Sequence, residues 1–227
     1  MGNEKPKLKV ESLVIEKGLW ALVGRNGAGK STFINALSGE NSNFEGNILI
    51  QNNDLKNISA QILAKKIAIV FSKTTLFGNH SALDVLFLGR IPYQGLMAKI
   101  TQEDKNKVDE IIELLQLNKL THKPFSVLSD GEKQLIMIGR ALVQDTPIIL
   151  LDEPTAFLDV VNRKIIIKLL AEIAVKKQKT IIFSTHNVGL VEEFCDGMLI
   201  IDQSKLKVIN DKSHFNNELN KLFENEI

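Results

Sequence analysis

The chemistry in this 227-residue chain begins at Gly24-Arg25-Asn26-Gly27-Ala28-Gly29-Lys30-Ser31-Thr32, which fits the pattern G-x-x-x-x-G-K-[ST]. Small residues at Gly27, Ala28 and Gly29 let successive backbone N–H groups turn inward on an anion, and Lys30 adds a full positive charge. The Ser31 hydroxyl supplies an oxygen where a phosphate-bound Mg²⁺ needs one. A chance glycine-rich turn would lack the setting: an apolar run at residues 19–23 precedes the loop, and an apolar, helix-like segment at 33–37, stopped at Gly39, follows it. Strand, loop and helix in that order aim a helix N-terminus at the phosphates.

Three further groups bear on the same chemistry. Residues 148–151 are continuously apolar and end in Asp152-Glu153, which puts two carboxylates at the C-terminal tip of a strand, where open α/β sheets bind ligands. Asp152 would hold Mg²⁺, directly or through water, and Glu153 would take the proton from a water attacking the γ-phosphate. An acidic turn before Pro154 accounts for the pair taken alone; beside a phosphate loop it reads as machinery. His186 follows Phe183-Ser184-Thr185 at the tip of another apolar strand, which predicts a place near the γ-phosphate, whereas His80, His122 and His214 read as structural or solvated. Ser129 and Glu132 have the spacing of a helix capping box, a complete account of those two residues. Gly131 between them adds a helix start able to present N–H groups to an anion.

The elements that must position these groups can be read from periodicity. Residues 13–15 and 19–23 read as a hairpin around Glu16-Lys17-Gly18; residues 46–51 and 67–71 as strands; 58–66 as a small helix; and 72–81 as a loop. Residues 81–145 change character. Residues 82–88 are apolar at helical spacing, Pro92 must end or kink that helix, and Thr101 with Asp104 opens a helix carrying Val108, Ile111, Ile112 and Leu115 on one face. A further helix follows Ser129, with Leu135, Ile138 and Leu142 inward. Residues 148–151, 180–183 and 198–201 return to the buried parallel-strand pattern, with a crossover helix over 161–177 that buries Ile166, Leu169, Leu170 and Ile173. Residues 216–227 form a weakly amphipathic closing helix.

Composition bounds the rest. Apolar residues at 44% and charged residues at 24% are ordinary for one globular domain. Lys and Arg number 28 against 27 Asp and Glu, a net charge of +1, so no global field draws the chain to nucleic acid or anionic lipid. No apolar run approaches a bilayer span and the N-terminus lacks a signal peptide's core, which places the protein in the cytoplasm. The single Cys195 can form no internal disulfide and reads as a small buried thiol.

In order and spacing these motifs resemble the ATP-binding subunits of ABC transporters over nearly the whole chain. The phosphate loop is 24–32, the family signature 128–134, the Walker B strand 148–153, the D-loop 155–159 and the switch histidine His186. The resemblance implies an α/β P-loop NTPase of the ABC type in one domain over 1–227. Its core would be a mostly parallel sheet with an N-terminal antiparallel β part and an inserted helical subdomain at about 81–145. It implies that Lys30, Glu153 and His186 are catalytic, that residues 24–32 bind ATP, and that Ser31 and Asp152 hold Mg²⁺. Ser129 and Gly131, with Asp130, Glu132 and Asp159 also among the nucleotide-binding residues, would close on the ATP held by Lys30 of a second copy in a head-to-tail dimer.

Within the family, residues 88–93 and 154–159 look like importers of iron siderophores, haem and cobalamin. Such a subunit sits on the cytoplasmic face of a separate permease fed by an extracytoplasmic substrate-binding protein, and never touches the cargo. The competing readings are an assembly ATPase, such as one for iron–sulfur clusters, and a soluble ABC-type ATPase acting on nucleic acid or ribosomes. The latter generally has two cassettes or a long coiled-coil insertion, and the neutral charge gives nucleic acid no support. Two positions depart from the family pattern. Ser72, followed by Lys73, stands where the family has a glutamine, so it would reach Mg²⁺ only through water. No aromatic precedes Trp20 to stack on adenine, and Trp20 itself reads as core.

Overall fold

Strand β1 (Gly18–Gly24) is buried at every residue, and its alternating side chains enter two different cores: Leu19, Ala21 and Val23 on one face, Trp20 and Leu22 on the other. A strand covered on both faces reads as an unbroken apolar run, which is why residues 19–23 show no polar alternation. The computed structural model describes residues 8–41, 43–72, 79–95 and 99–223. After β1 come helix α1 (Lys30–Ser38), the short strands β2 (Leu49–Ile50) and β3 (Asn53–Asp54), helix α2 (Ala60–Leu63) and strand β4 (Ile67–Val70). Helices α3 (Ala82–Leu88), α4 (Gln102–Leu114) and α5 (Asp130–Val143) follow. The chain then returns to the sheet through β5 (Ile148–Leu151), α6 (Val160–Lys176), β6 (Thr180–Ser184), α7 (Val188–Phe194), β7 (Gly197–Asp202), β8 (Lys205–Ile209) and α8 (Phe215–Phe223).

The main sheet runs β4-β5-β6-β1-β7-β8, with every neighbour parallel except β7 and β8. Because β5, β6 and β1 are consecutive and parallel, the chain leaving their C-terminal ends gathers residues 152–153, 185–186 and 24–30 along one edge. Crossover α6 buries Ile166, Ile167, Leu170 and Ile173 against the sheet. Each such aliphatic side chain contributes about 1.5–3 kcal/mol relative to leaving it exposed.

Between β4 and β5 the described residues add no strand to the main sheet. Helices α3, α4 and α5 pack on one another through Val85, Leu86, Val108, Ile111 and Ile138, and join the same core as the sheet. Each helix starts in a capping box, at Ser81/Asp84, Thr101/Asp104 and Ser129/Glu132. The segment at 88–93 is their joint. A Cβ on Gly89 would overlap the Arg140 carbonyl, so glycine lets α3 end hard against α5. The buried Arg90 donates from Nε to Asp104 Oδ1 at 2.8 Å and from Nη1 to the Val143 carbonyl at 3.1 Å, with its guanidinium 4.2 Å from the Tyr93 ring centre. Burial alone would raise the Asp104 pKa, but hydrogen bonds from Arg90 and Thr101 hold it below the ordinary carboxylate range. Packing alone therefore accounts for Gly89, Arg90 and Tyr93.

The hairpin read over residues 13–23 is absent. Both edges of β1 are already paired, with β6 and β7, so no edge remains for residues 13–15. Those residues run outside any strand, with Leu13 and Ile15 resting half-buried on the second core and Val14 77% exposed. The antiparallel pair lies instead in β2 and β3, turned through Gln51 and Asn52 at φ 51° and 64°. Sequence reading passed over β8, which adds antiparallel to β7. Of the loop read at 72–81, residues 73–78 lie outside the described residues.

Cys195, next after α7, is wholly buried, and burial followed by the neighbouring Asp196 charge drives its thiol pKa far above the ordinary range. Native protein should therefore resist iodoacetamide and become alkylated only on unfolding, as followed by intact mass. Rapid stoichiometric labelling of folded protein would contradict this.

Candidate active site

The phosphate loop meets α1 at Gly29, whose φ of 111° and ψ of 15° strongly favour glycine, and the helix start has no side-chain cap. Its first N–H groups thus face the loop uncapped, at the positive end of the helix dipole. Lys30 Nζ folds back over the loop, donating to the Gly24 carbonyl at 2.8 Å and the Arg25 carbonyl at 3.2 Å. Desolvation lowers the Lys30 pKa, with Glu153 and Asp152 acting in the opposite direction. A desolvated ammonium gains more from an arriving anion than a hydrated one would, which suits a phosphate receptor.

The two carboxylates after β5 have different surroundings. Asp152, 5% exposed, accepts from Ser31 Oγ on Oδ2 at 2.8 Å and from Ser184 Oγ on Oδ1 at 2.7 Å. Ser184 Oγ also accepts from the Glu153 N–H at 2.7 Å. Glu153 has φ 49°, a left-handed backbone uncommon for a residue with a side chain. Its Oε1 lies 3.0 Å from His186 Nε2. The Glu153 and His186 side chains are 36% and 41% exposed, so water reaches this pair while Asp152 stays enclosed.

The structure thus joins Lys30, Ser31, Asp152, Glu153 and His186, as the sequence predicts, and adds Ser184. Its signal was a hydroxyl ending an apolar strand two residues before His186. Ser184 ties the tip of β6 to both carboxylate positions after β5. The Arg25 side chain turns away from this cluster, to the Leu222 carbonyl. Asn26 is exposed, Ala28 half-buried, and Thr32 continues α1. Ser72 is half-buried just beyond β4, and among the described residues no hydrogen bond joins it to Ser31 or Asp152. Trp20 is core: it is 5% exposed, its Nε1 donates to the Glu16 carbonyl at 3.0 Å, and its ring fills the space a Cβ on Gly197 would need.

Residues 129–132 stand elsewhere. Ser129 Oγ accepts from the Glu132 N–H at 3.2 Å, and Glu132 Oε2 from the Ser129 N–H at 2.8 Å. Gly131 lies so near the D-loop that an added Cβ would sit 3.1 Å from the Phe157 carbonyl oxygen. Asp159 caps α6, its Oδ1 accepting from the Asn162 N–H at 2.9 Å. Among the described residues no hydrogen bond or ion pair connects residues 129–132 or Asp159 to the phosphate loop. Nor do the described residues hold any cluster of three or more His, Cys, Asp or Glu side chains suited to a metal. Ser31 and Asp152 offer a hydroxyl and a carboxylate, hard oxygen donors that fit a Mg²⁺ completed by phosphate and water.

The sequence and the fold are matched by known proteins. The family model for ABC transporters covers residues 8–156. The chain belongs to the ABC transporter family. It is an ATP-binding cassette of that family and an ATPase. An uncharacterised ABC transporter ATP-binding protein of Methanocaldococcus jannaschii is 33% identical over 196 residues, spanning 86% of this chain and 68% of that protein. A methionine import ATP-binding protein of Haemophilus ducreyi is 34% identical over 199 residues, 86% of this chain but only 57% of its own length. Other relatives are named for transport of achromobactin, molybdate, petrobactin and cobalamin. Among solved structures, a dimeric post-hydrolysis cassette bound to ADP and Pi superposes with TM-score 0.81 at 26% identity, over 92% of this chain and 93% of that one. No helix among the described residues of this ABC cassette is long and apolar enough to cross a membrane.

Proposed function

We propose that this ABC cassette is the ATP-hydrolysing subunit of an importer and works as a head-to-tail pair on the cytoplasmic face of separate permease subunits. The observation that carries the reading is the division of the site. Lys30, Ser31, Asp152, Glu153, Ser184 and His186 converge at one sheet edge, while among the described residues no hydrogen bond or ion pair reaches the uncapped phosphate loop from residues 129–132 of its own chain. A second copy, facing the first, would bring its Ser129 and Gly131 to that ATP, with Asp130, Glu132 and Asp159 alongside. The helices over 81–145, sharing one core with the sheet, would form the inserted subdomain of a single domain over 1–227.

Within each half, the N–H groups at 27–31 and the Lys30 ammonium hold phosphate oxygens. Ser31 and Asp152 would hold Mg²⁺, which when bound offsets the charge of the phosphates. Asp152 already accepts two hydroxyl hydrogen bonds and is enclosed; Glu153 is open to water and, among the described residues, shares its carboxylate only with His186. Proton abstraction from the attacking water therefore falls to Glu153, and His186 holds Glu153 Oε1 in place. The cargo assigned is an iron siderophore, haem or cobalamin delivered by an extracytoplasmic binding protein, in line with relatives named for achromobactin, petrobactin and cobalamin. No nucleic acid is involved. The test is purification of the tagged chain from membranes of its own cells, followed by identification of what accompanies it. An integral partner with many apolar spans, and loss of iron-chelate or cobalamin uptake on deletion, are the expected results. Recovery with ribosomes or iron–sulfur assembly factors would overturn the transport reading, and loss of methionine or molybdate uptake the cargo.

The metal assignment gives a ranking. Ser72→Ala should reduce turnover less than about tenfold, under ~1.4 kcal/mol of transition-state stabilisation, because only a water-mediated contact is lost. Asp152→Asn removes an anionic ligand and should cost considerably more. Turnover of both variants across a Mg²⁺ titration reads the difference. If Ser72→Ala were equally damaging and excess Mg²⁺ rescued it, Ser72 would be a primary ligand.

A further inference from the structure

We propose that Arg25 is a positioning residue for the nucleotide, anchoring the phosphate loop to the C-terminal helix α8. Its guanidinium donates twice to one acceptor, the Leu222 carbonyl, from Nε at 3.2 Å and Nη2 at 2.8 Å. That carbonyl belongs to α8 (Phe215–Phe223), and a charged donor bonded to a backbone acceptor makes a stronger tie than a neutral one would. The backbone of the same residue faces the site: the Arg25 carbonyl accepts from Lys30 Nζ at 3.2 Å and from the Ala28 N–H at 3.1 Å. One residue thus links α8 to the loop that must cradle phosphate.

The anchor at the other end is rigid. Phe215 and Leu219 are each 1% exposed and Leu222 is 5% exposed, all three in the main core. Glu218 of α8 accepts from Lys207 of β8 at 2.5 Å. A loop rich in small residues loses conformational entropy when it closes on an anion, and a strut to a packed helix removes part of that loss beforehand. By linkage, nucleotide in the loop must then steady α8 by the same factor that α8 improves nucleotide binding.

The inference rests on the reading of residues 24–32 as the ATP site, and the experiment separates the two. ATP affinity is measured by calorimetry for wild type, Arg25→Ala, Arg25→Lys, Leu219→Ala and the Arg25→Ala/Leu219→Ala pair, with Lys30→Ala as the loop control. Arg25→Ala should weaken binding about five- to tenfold, within the range of single coupling energies. Arg25→Lys should recover part of that loss, since an ammonium can reach the same carbonyl without the guanidinium's two-nitrogen fork. Leu219→Ala, which loosens α8 at a distance from the loop, should weaken ATP binding in wild type yet add little in Arg25→Ala. Hydrogen exchange should show ATP slowing the α8 amides in wild type and not in Arg25→Ala. Additive losses in the double variant, or α8 exchange indifferent to ATP in wild type, would overturn the strut. Should wild type and Lys30→Ala both fail to bind ATP, the site assignment itself falls.

Discussion

Replacing Glu153 by glutamine is expected to lower ATP turnover by roughly 10²-fold or more while leaving nucleotide binding in place. The substitution is nearly isosteric, so the left-handed backbone at φ 49° and the N–H bond to Ser184 Oγ at 2.7 Å persist. The amide can still meet His186 Nε2, 3.0 Å from Oε1 in the native protein, but it cannot take up a proton. Binding should survive because, on the proposed reading, Lys30 and the loop amides would hold the phosphates independently of that carboxylate. With hydrolysis blocked, ATP should hold the copies together, and size-exclusion chromatography with ATP should show a dimer. Turnover close to wild type would return the general base to another group, and a monomer at saturating ATP would count against the paired assembly.

What the sequence disclosed about this site, and what it hid, follows from how far each contact reaches along the chain. Lys30 and Ser31 belong to a motif whose glycines have a local geometric purpose, and Asp152-Glu153 announce themselves by ending an apolar strand. Ser184 carried no comparable signal. A serine after Phe183 could as well be a solvated strand end, and only the parallel pairing of β5 with β6 brings its hydroxyl onto Asp152, 32 residues away. The Arg25–Leu222 bond spans 197 residues and leaves no local pattern at all.

The fold was legible where periodicity had one physical meaning. The runs at 148–151, 180–183 and 198–201 are too short for helices and rich in isoleucine, which fits buried strands. The hairpin over 13–23 failed for a reason outside its own residues, since β6 and β7 occupy both edges of β1. Strand β8, in contrast, lies at the sheet's edge, and its Lys-Leu-Lys alternation is a half-exposed strand too short to stand out. Residues 88–93 also have a packing role that no local pattern discloses, in the Arg90–Asp104 ion pair and the close approach at Gly89.

Changing Ser129 to arginine should abolish turnover while the isolated monomer keeps nearly its full ATP affinity. Two accounts of Ser129 compete, and they differ in size and in kind. As a helix cap alone, it contributes about 1 kcal/mol through its bond to the Glu132 N–H. Its loss would then lower the melting temperature by roughly 2–4 °C and reduce activity only as far as the folded fraction falls. As a group that meets the partner's ATP, it faces a position where a long cation cannot be accommodated without holding the copies apart, and the loss is total whatever the stability. Ser129→Ala separates the two, because it removes the cap and adds no bulk. Its melting point should drop like that of the arginine variant while much of its turnover remains. A mixing experiment goes further: Ser129→Arg and Lys30→Ala are each inactive, yet a pair made of one of each contains one phosphate loop and one opposing helix start that are both native. Equimolar mixing should restore turnover that neither variant has alone. If mixing restored nothing and ATP affinity of the Ser129→Arg monomer fell together with its turnover, residues 129–132 would serve only their own chain.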